Sequence, residues 1–187
     1  KLELNVILQK IMEKAIELLR VEAGAVALWD HRNQTYRYVF IHGLPDSMIG
    51  REVSLDSKGV IGEVLKKKVP VHYGNYERNP NRLKGLDEYH FQEVIGVPLI
   101  VREMVIGAMT IGTSNPQRHF RREEIELLSN LAQQAGVAIG NAQLYEDSLL
   151  KIKQLTTLYE IGNQLSSTLD LDELLRKALI LLKEQWG

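Results

Sequence analysis

Between Leu128 and Ile152 an apolar residue recurs at alternating steps of three and four: Leu128, Leu131, Ala135, Ala138, Ala142, Tyr145, Leu149 and Ile152. A heptad seam of this kind is how one helix packs along another. No proline follows Pro116, so nothing forces the helix to stop. Beyond Ile152 the seam changes phase. It runs on through Leu155, Leu158, Gly162, Leu165 and Leu169 with one extra three-residue step, an irregularity that alters supercoiling locally without ending a helix. The pattern predicts a helix from about Arg121 to about Ser167, on the order of 70 Å long at 1.5 Å per residue. A bend or a break near Gly162 is the alternative, because glycine is costly in a helix interior. A chain of 187 residues cannot bury that length alone, so the exposed half of the seam needs a partner and a homodimer is expected.

The residues before this helix follow other periods. Leu4 to Arg20 carries Ile7, Leu8, Ile11, Ala15, Leu18 and Leu19 on one stripe, an amphipathic helix closed by Gly24. Ala25 to Asp30 and Tyr36 to His42 read as a hairpin, with Tyr36, Tyr38, Phe40 and His42 alternating onto one face. Gly43 to Ser57 has loop composition. Gly59 to Lys68 is a short helix whose basic last turn suits the negative end of its dipole. Val69 to Tyr73 is a strand that Pro70 places at an edge, and Gly74 to Phe91 is the longest irregular stretch. Glu93 to Val101 and Met104 to Ile111 form a second hairpin, apolar enough to be buried on much of both faces. The fold class expected is α+β: a central antiparallel β-sheet flanked by helices, with a long C-terminal linker helix.

Composition removes several functions. With no cysteine there is no disulfide, thiolate metal site, iron–sulfur cluster or thiol nucleophile. Twenty-three basic residues balance twenty-four acidic ones, which leaves no global field to attract nucleic acid or an anionic membrane. The longest apolar run, Val94 to Val101, is far short of the roughly 20 residues that span a bilayer. No membrane contact by these residues is expected, and the expected location is cytoplasmic. Because the chain starts at Lys1, it is read as a piece of a longer protein with further domains.

Sliding the sequence against itself by 163 positions supports that reading. Leu8 falls on Leu171, Lys14 on Lys177, Ala15 on Ala178, Leu18 on Leu181, Leu19 on Leu182 and Gly24 on Gly187, with Asp170 and Glu173 forming a capping-box-like start to the second copy. Residues 1–147 are then one domain, 148–168 a coiled-coil linker, and 169–187 the first helix of a second, truncated domain of the same type.

The order of these elements, with the segments GVIGEVLKKKVPVHY (Gly59 to Tyr73), EVIGVPLIVREMVIGAMTIG (Glu93 to Gly112) and FRREEIELLSNLAQQAGVAIGNAQLYED (Phe120 to Asp147), resembles a GAF domain over about Leu4 to Asp147. The resemblance implies an antiparallel sheet with the terminal helices on one face and a small-molecule pocket on the other. It also implies a non-catalytic sensory module of a signal-transduction protein that dimerises through its terminal helices. Relatives that attach a bilin do so through cysteine, so no covalent bilin is expected here. The cyclic-nucleotide-binding branch carries an Asn-Lys pair and an acidic pair. Phe120 fits that pattern, but Glu124 and Ile125 stand for the acids and no Asn-Lys precedes them, so cyclic nucleotide is not carried over. Backbone contacts to ligand at the start of the Gly-X-X-Gly helix transfer to Val60 and Ile61.

Among side chains, His72, Tyr73, Tyr76, Arg78, Asn79, Arg82, Tyr89, His90 and Phe91 lie on or beside the irregular stretch that would roof such a pocket, and aromatic walls with a few polar groups suit a small molecule. A plain surface loop has a similar composition. His42 or His72 could ligate haem iron if either faced the pocket; a hydrogen-bonded structural histidine is the plainer reading, and neither haem nor a dedicated metal site is expected. No adjacent nucleophile and base, P-loop or Gly-x-Ser-x-Gly occurs, so catalytic residues are expected to be absent. The other reading is a ligand-free domain that only dimerises and spaces its neighbours, its pocket filled by Tyr36, Tyr38 and Phe40.

Overall fold

The computed structural model describes residues 2–83 and 89–168, together with the isolated helical positions Arg176, Leu179 and Ile180. Helix α1 (Leu2–Leu19) leads into strands β1 (Ala23–Asp30) and β2 (Thr35–His42), a short strand β3 (Glu52–Ser54), helix α2 (Val60–Lys67) and strand β4 (Val71–Gly74). A 3-10 turn at Tyr76–Arg78 precedes β5 (Glu93–Val101), β6 (Met104–Thr113) and the long helix α3 (Arg122–Thr168). Six strands form one antiparallel sheet in the order β3-β2-β1-β6-β5-β4. The chain divides into two units, Lys1–Ala142 and Gln143–Gly187.

Each sheet face carries its own core. One is covered by α1 and the start of α3, where Leu8, Met12, Leu19, Leu128, Leu131 and Ala135 pack on Val26, Ile95, Val97 and Met109. Alpha-helical spacing sets the buried stripe of α1 at Leu8, Met12, Ala15 and Leu19, which leaves Leu18 exposed. The helix ends at Arg20 in a left-handed conformation, its last turn closed by the Val21 N–H on the Ile16 carbonyl. Gly24 therefore does not close the helix. It sits within β1, where a Cβ would meet Met12 Sδ at 2.7 Å.

The second face is covered by α2 and the loops. Val60, Val64 and Leu65 of α2 pack with Tyr36, Tyr38, Met48 and Val71. At Gly96 the helix lies so close that a Cβ would reach Val60 Cγ1 at 2.5 Å.

Two features of the sheet depart from the sequence expectation. Strand β3 lies within the stretch read as loop; it is only three residues long and pairs at the edge beside β2, too short to show a period. In β2 the register slips between Val26 and Ala27, so that Val26 opposes Phe40 while Ala27 opposes Tyr38. The extra residue, Val39, is a bulge that inverts the alternation. Tyr36 and Tyr38 face α2, whereas Phe40 joins the α1 and α3 side and His42 is exposed.

In the unit Gln143–Gly187, α3 continues unbroken through Gly162, whose position has nothing within 4 Å. Tyr145, Leu149, Ile152, Leu155 and Leu158 are all exposed. The expected first helix of a second domain, 169–187, lies outside the described residues apart from Arg176, Leu179 and Ile180. Among the described residues no helix is long and apolar enough to cross a membrane.

Candidate functional site

A cavity of about 60 Å³ lies between the sheet and the N-terminal end of α2. Its walls come from five places: Ala25 and Tyr38 on the β1–β2 hairpin, Leu44 and Met48 on the stretch after it, Val60 and Ile61 on α2, Tyr76 and Leu83 on the irregular stretch, and Phe91, Val94 and Thr110 on β5, β6 and the approach to β5. The lining is apolar apart from phenol, threonine and main-chain groups. Ligand pockets typically run to roughly 300–1,000 Å³, so the space holds only a few heavy atoms unless a wall moves.

One wall group occupies the polar end. The backbone N–H of Leu83, 3.3 Å away, donates to the Tyr76 hydroxyl oxygen, and the Val60 N–H is near enough to act on the same phenol. The first N–H groups of a helix have no partner within it, and the start of α2 forms this wall of the cavity through Val60 and Ile61. Burial pushes the Tyr76 phenol up and these two donors oppose it only in part. Burial also raises Tyr38, and pushes Tyr36, which packs edge-on to the Tyr38 ring, up to about 12. The Tyr36 hydroxyl is fully buried without a hydrogen-bond partner. All three therefore stay protonated near neutral pH as donors in an apolar wall.

Of the residues singled out from sequence, Val60, Ile61, Tyr76 and Phe91 line the cavity. Tyr73 and Tyr89 pack against the core around it, Tyr73 with its hydroxyl on Glu63 and Tyr89 stacked on Phe91. Burial first and Glu63 second push the Tyr73 phenol up to about 12. Arg78 is exposed, and His90 is an exposed partner of Glu77 at 2.7 Å. His72 is drawn to the other face of the sheet, where it donates to Glu93 and meets the Phe120 ring edge-on. Neither His42 nor His72 lines the cavity.

Leu44, Met48, Leu83, Val94 and Thr110 were missed, and Tyr38 lines the cavity where the ligand-free reading had it fill the pocket. Period two on β2 marked Tyr38 as inward, but Leu83 reaches the cavity through an aperiodic loop that gives no signal. Of the heptad seam, Leu128, Leu131 and Ala135 are buried in the core of their own domain, Ala138 and Ala142 are half-buried, and Tyr145, Leu149 and Ile152 are exposed.

The Glu93 carboxylate was also missed, because it opens an otherwise apolar strand. It is 5% exposed and accepts from His72 Nε2 at 2.8 Å, His119 Nδ1 at 2.8 Å and the Phe120 N–H at 2.9 Å. Burial pushes this carboxyl up, but the three donors outweigh it and hold it below its ordinary 4.5. The two imidazoles reach opposite oxygens, and among the described residues no group of three or more His, Asp or Glu side chains is arranged to hold a metal ion.

These features match known proteins along most of the chain. An anaerobic nitric oxide reductase transcription regulator, NorR, from Serratia proteamaculans is 30% identical over 144 residues, which cover 74% of this chain and 27% of that protein. NorR from Vibrio vulnificus is 24% identical over 123 residues, covering 62% and 24%. The chain thus spans about a quarter of the length of these curated relatives. The fold recurs in a GAF domain/HD domain protein from Geobacter sulfurreducens, with a TM-score of 0.65, 18% identity and coverage of 75% of this chain and 94% of that one. It recurs in the GAF-B domain of DevS from Mycobacterium smegmatis, with a TM-score of 0.63, 18% identity and coverage of 76% and 97%. With a family model for the GAF domain matching residues 3–139, the sheet, its two helical covers and the cavity under α2 have one reading: the chain belongs to the GAF domain family.

Proposed function

We propose that the chain is a non-catalytic sensory and regulatory module that binds a small molecule in the cavity under α2 and relays its presence through a dimeric helical linker. The carrying observation is the Tyr76 hydroxyl, a side-chain acceptor on the Leu83 N–H at the polar end of an apolar space. A ligand with one oxygen acceptor on a compact apolar body can replace it, adding its own buried area while keeping the Leu83 donor satisfied. Among the described residues no carboxylate or cation lines the cavity, so a neutral ligand fits better than an ion, which would be buried without a counter-charge.

In this reading residues 1–147 form the sensory domain, 148–168 the linker and 169–187 the first helix of a second domain, within a longer cytoplasmic regulator. The relatives support it in being transcription regulators several times longer than this chain. The exposed Tyr145, Leu149, Ile152, Leu155 and Leu158 support a partner helix in a homodimer. Buried as they are, Leu128, Leu131 and Ala135 serve the fold of the domain, so the intermolecular seam starts at the half-buried Ala138 and Ala142.

The second reading, a ligand-free dimerisation and spacing element, is favoured by the small volume of the cavity and by Tyr36 and Tyr38 filling the space beside it. Native mass spectrometry of the purified protein separates the two. A dimer carrying a small mass released on denaturation is expected. A bare dimer whose melting temperature ignores phenol, cyclohexanone and similar neutral probes would establish the spacing element instead.

A further inference from the structure

Apart from aromatic side chains, Glu93 and Thr113 are the fully buried polar residues among those described, and they face each other across β5 and β6. Thr113 is neutral, but Glu93 carries a charge into the core. Such a charge is tolerated only while its donors are in place. The three donors come from two places: His72 from edge strand β4, and His119 and the Phe120 N–H from the segment that launches α3 two residues later.

That segment is held from other sides as well. The Phe120 ring is buried against His72, and the Arg118 guanidinium lies 5.1 Å from the ring centroid. Arg118 pairs with Glu124 in the first turn of α3 and donates to the Leu19 carbonyl at the end of α1 at 3.0 Å. The start of α3, the end of α1 and the sheet therefore meet within a few residues of Glu93.

The residues beside Glu93 belong to the cavity. Phe91 and Val94 line it, and the Gln92 carbonyl accepts the Tyr76 N–H at 2.9 Å while the Phe91 carbonyl accepts the Glu77 N–H at 2.9 Å. Gln92 also donates its own N–H to the Thr113 carbonyl at 2.8 Å. A displacement of Tyr76 thus pulls on the backbone adjoining Glu93, whose carboxylate holds the backbone that begins α3.

We propose that Glu93 is the coupling residue between the cavity and α3, a latch that holds the Phe120 N–H in one state of the cavity and releases it in the other. The proposal rests on the reading of the cavity as the sensory site. The latch favours two discrete states because an intermediate arrangement leaves a buried carboxylate short of donors. A spatially continuous path is not yet coupling, which only a non-additive response of two sites demonstrates.

The test needs no ligand. Hydrogen exchange at the Phe120 amide and the first turn of α3 is read in the full 187-residue chain for Tyr76→Phe, Glu93→Gln and the double variant. Tyr76→Phe keeps the ring in the wall and removes the acceptor of the Leu83 N–H. Glu93→Gln is expected to raise Phe120 exchange about tenfold or more, as befits loss of a charge-assisted hydrogen bond. Tyr76→Phe is expected to raise it several-fold where Glu93 is present and by less than about twofold in the Glu93→Gln background. His119→Ala, an exposed change that leaves the core intact, is expected to give an intermediate rise and keeps the test open if Glu93→Gln fails to fold. Independent multiplication of the two effects would overturn the latch, as would a Tyr76→Phe response confined to Val60 and Leu83. If the effects are coupled yet native mass spectra show no bound molecule, the latch stands and the sensory reading falls. A retained ligand with uncoupled exchange has the opposite meaning.

Discussion

The two faces of the sheet are built to different standards. On the α1 and α3 face, aliphatic side chains interlock and α3 approaches so closely that a Cβ at Gly136 would sit 2.1 Å from the Ile100 carbonyl oxygen. On the α2 face the core is rich in tyrosine, encloses a cavity, and leaves the Tyr36 hydroxyl and Trp29 Nε1 buried without partners. Unpartnered buried polar atoms cost stability, and well-packed natural cores carry few of them. Their concentration on one face teaches that this face is not optimised for stability alone. Local departures from good packing and full hydrogen bonding are expected where a domain works.

The contrast is open to direct attack by mutation. The largest effect is expected from Leu128→Ala on the interlocked face, a loss of roughly 2–5 kcal/mol in urea denaturation. Leu83→Ala, which borders existing space, should fall at or below the low end of that range, and equal losses would erase the distinction between the faces. Gly136→Ala comes next. Alanine improves helix propensity by about 1 kcal/mol, but its methyl has no room against the Ile100 backbone, so a net loss of about 1–3 kcal/mol is expected. A gain would mean that α3 can lift from the sheet freely.

The third effect concerns pH. The Glu93 carboxyl is depressed in the folded protein, so its contribution is complete above its ordinary 4.5 and is lost as pH falls through the lower folded value. Acid melts should show stability declining below about pH 4.5, with a shallower decline in Glu93→Gln. The Tyr36 phenol works in the opposite direction: its folded value is raised to about 12, so stability is lost as pH climbs from about 10 toward 12. The smallest effect is the most telling for the α2 face. Tyr36→Phe removes an unpartnered hydroxyl and should stabilise the domain by about 1 kcal/mol. A comparable loss would show that the hydroxyl has a partner and that this face is as well satisfied as the other.

Legibility in the sequence followed the length of each regular pattern. Helix α3 was readable to within a residue at each end because forty-seven residues carry a seam and no proline. The hairpin β5–β6 was readable because its apolar runs stop at Arg102 and Glu103, both of which turn at positive φ. Strand β3 was not, since Glu52, Val53 and Ser54 are too few to express an alternation. The cavity was legible in part. Val60, Ile61, Tyr76 and Phe91 were found through the family resemblance and the aromatic content of the loop. His72 and His90 shared that composition and went elsewhere, drawn by Glu93 and Glu77. Nothing local tells a histidine which carboxylate, 21 or 13 residues away, will take its N–H.

By itself, then, the sequence determined the kinds of element, their order, the family and the long helix, because these follow from side-chain period and chain punctuation within a few turns. Only the tertiary structure decided that the Val39 bulge sends Tyr38 and Phe40 to opposite faces, and that half of a uniform seam is consumed by the core of its own domain. It also decided that a glutamate opening an apolar strand becomes the hydrogen-bonding centre beneath α3. The physical reason is common to all three: burial and hydrogen-bond satisfaction depend on which distant segments meet, and a period records only the neighbours along the chain.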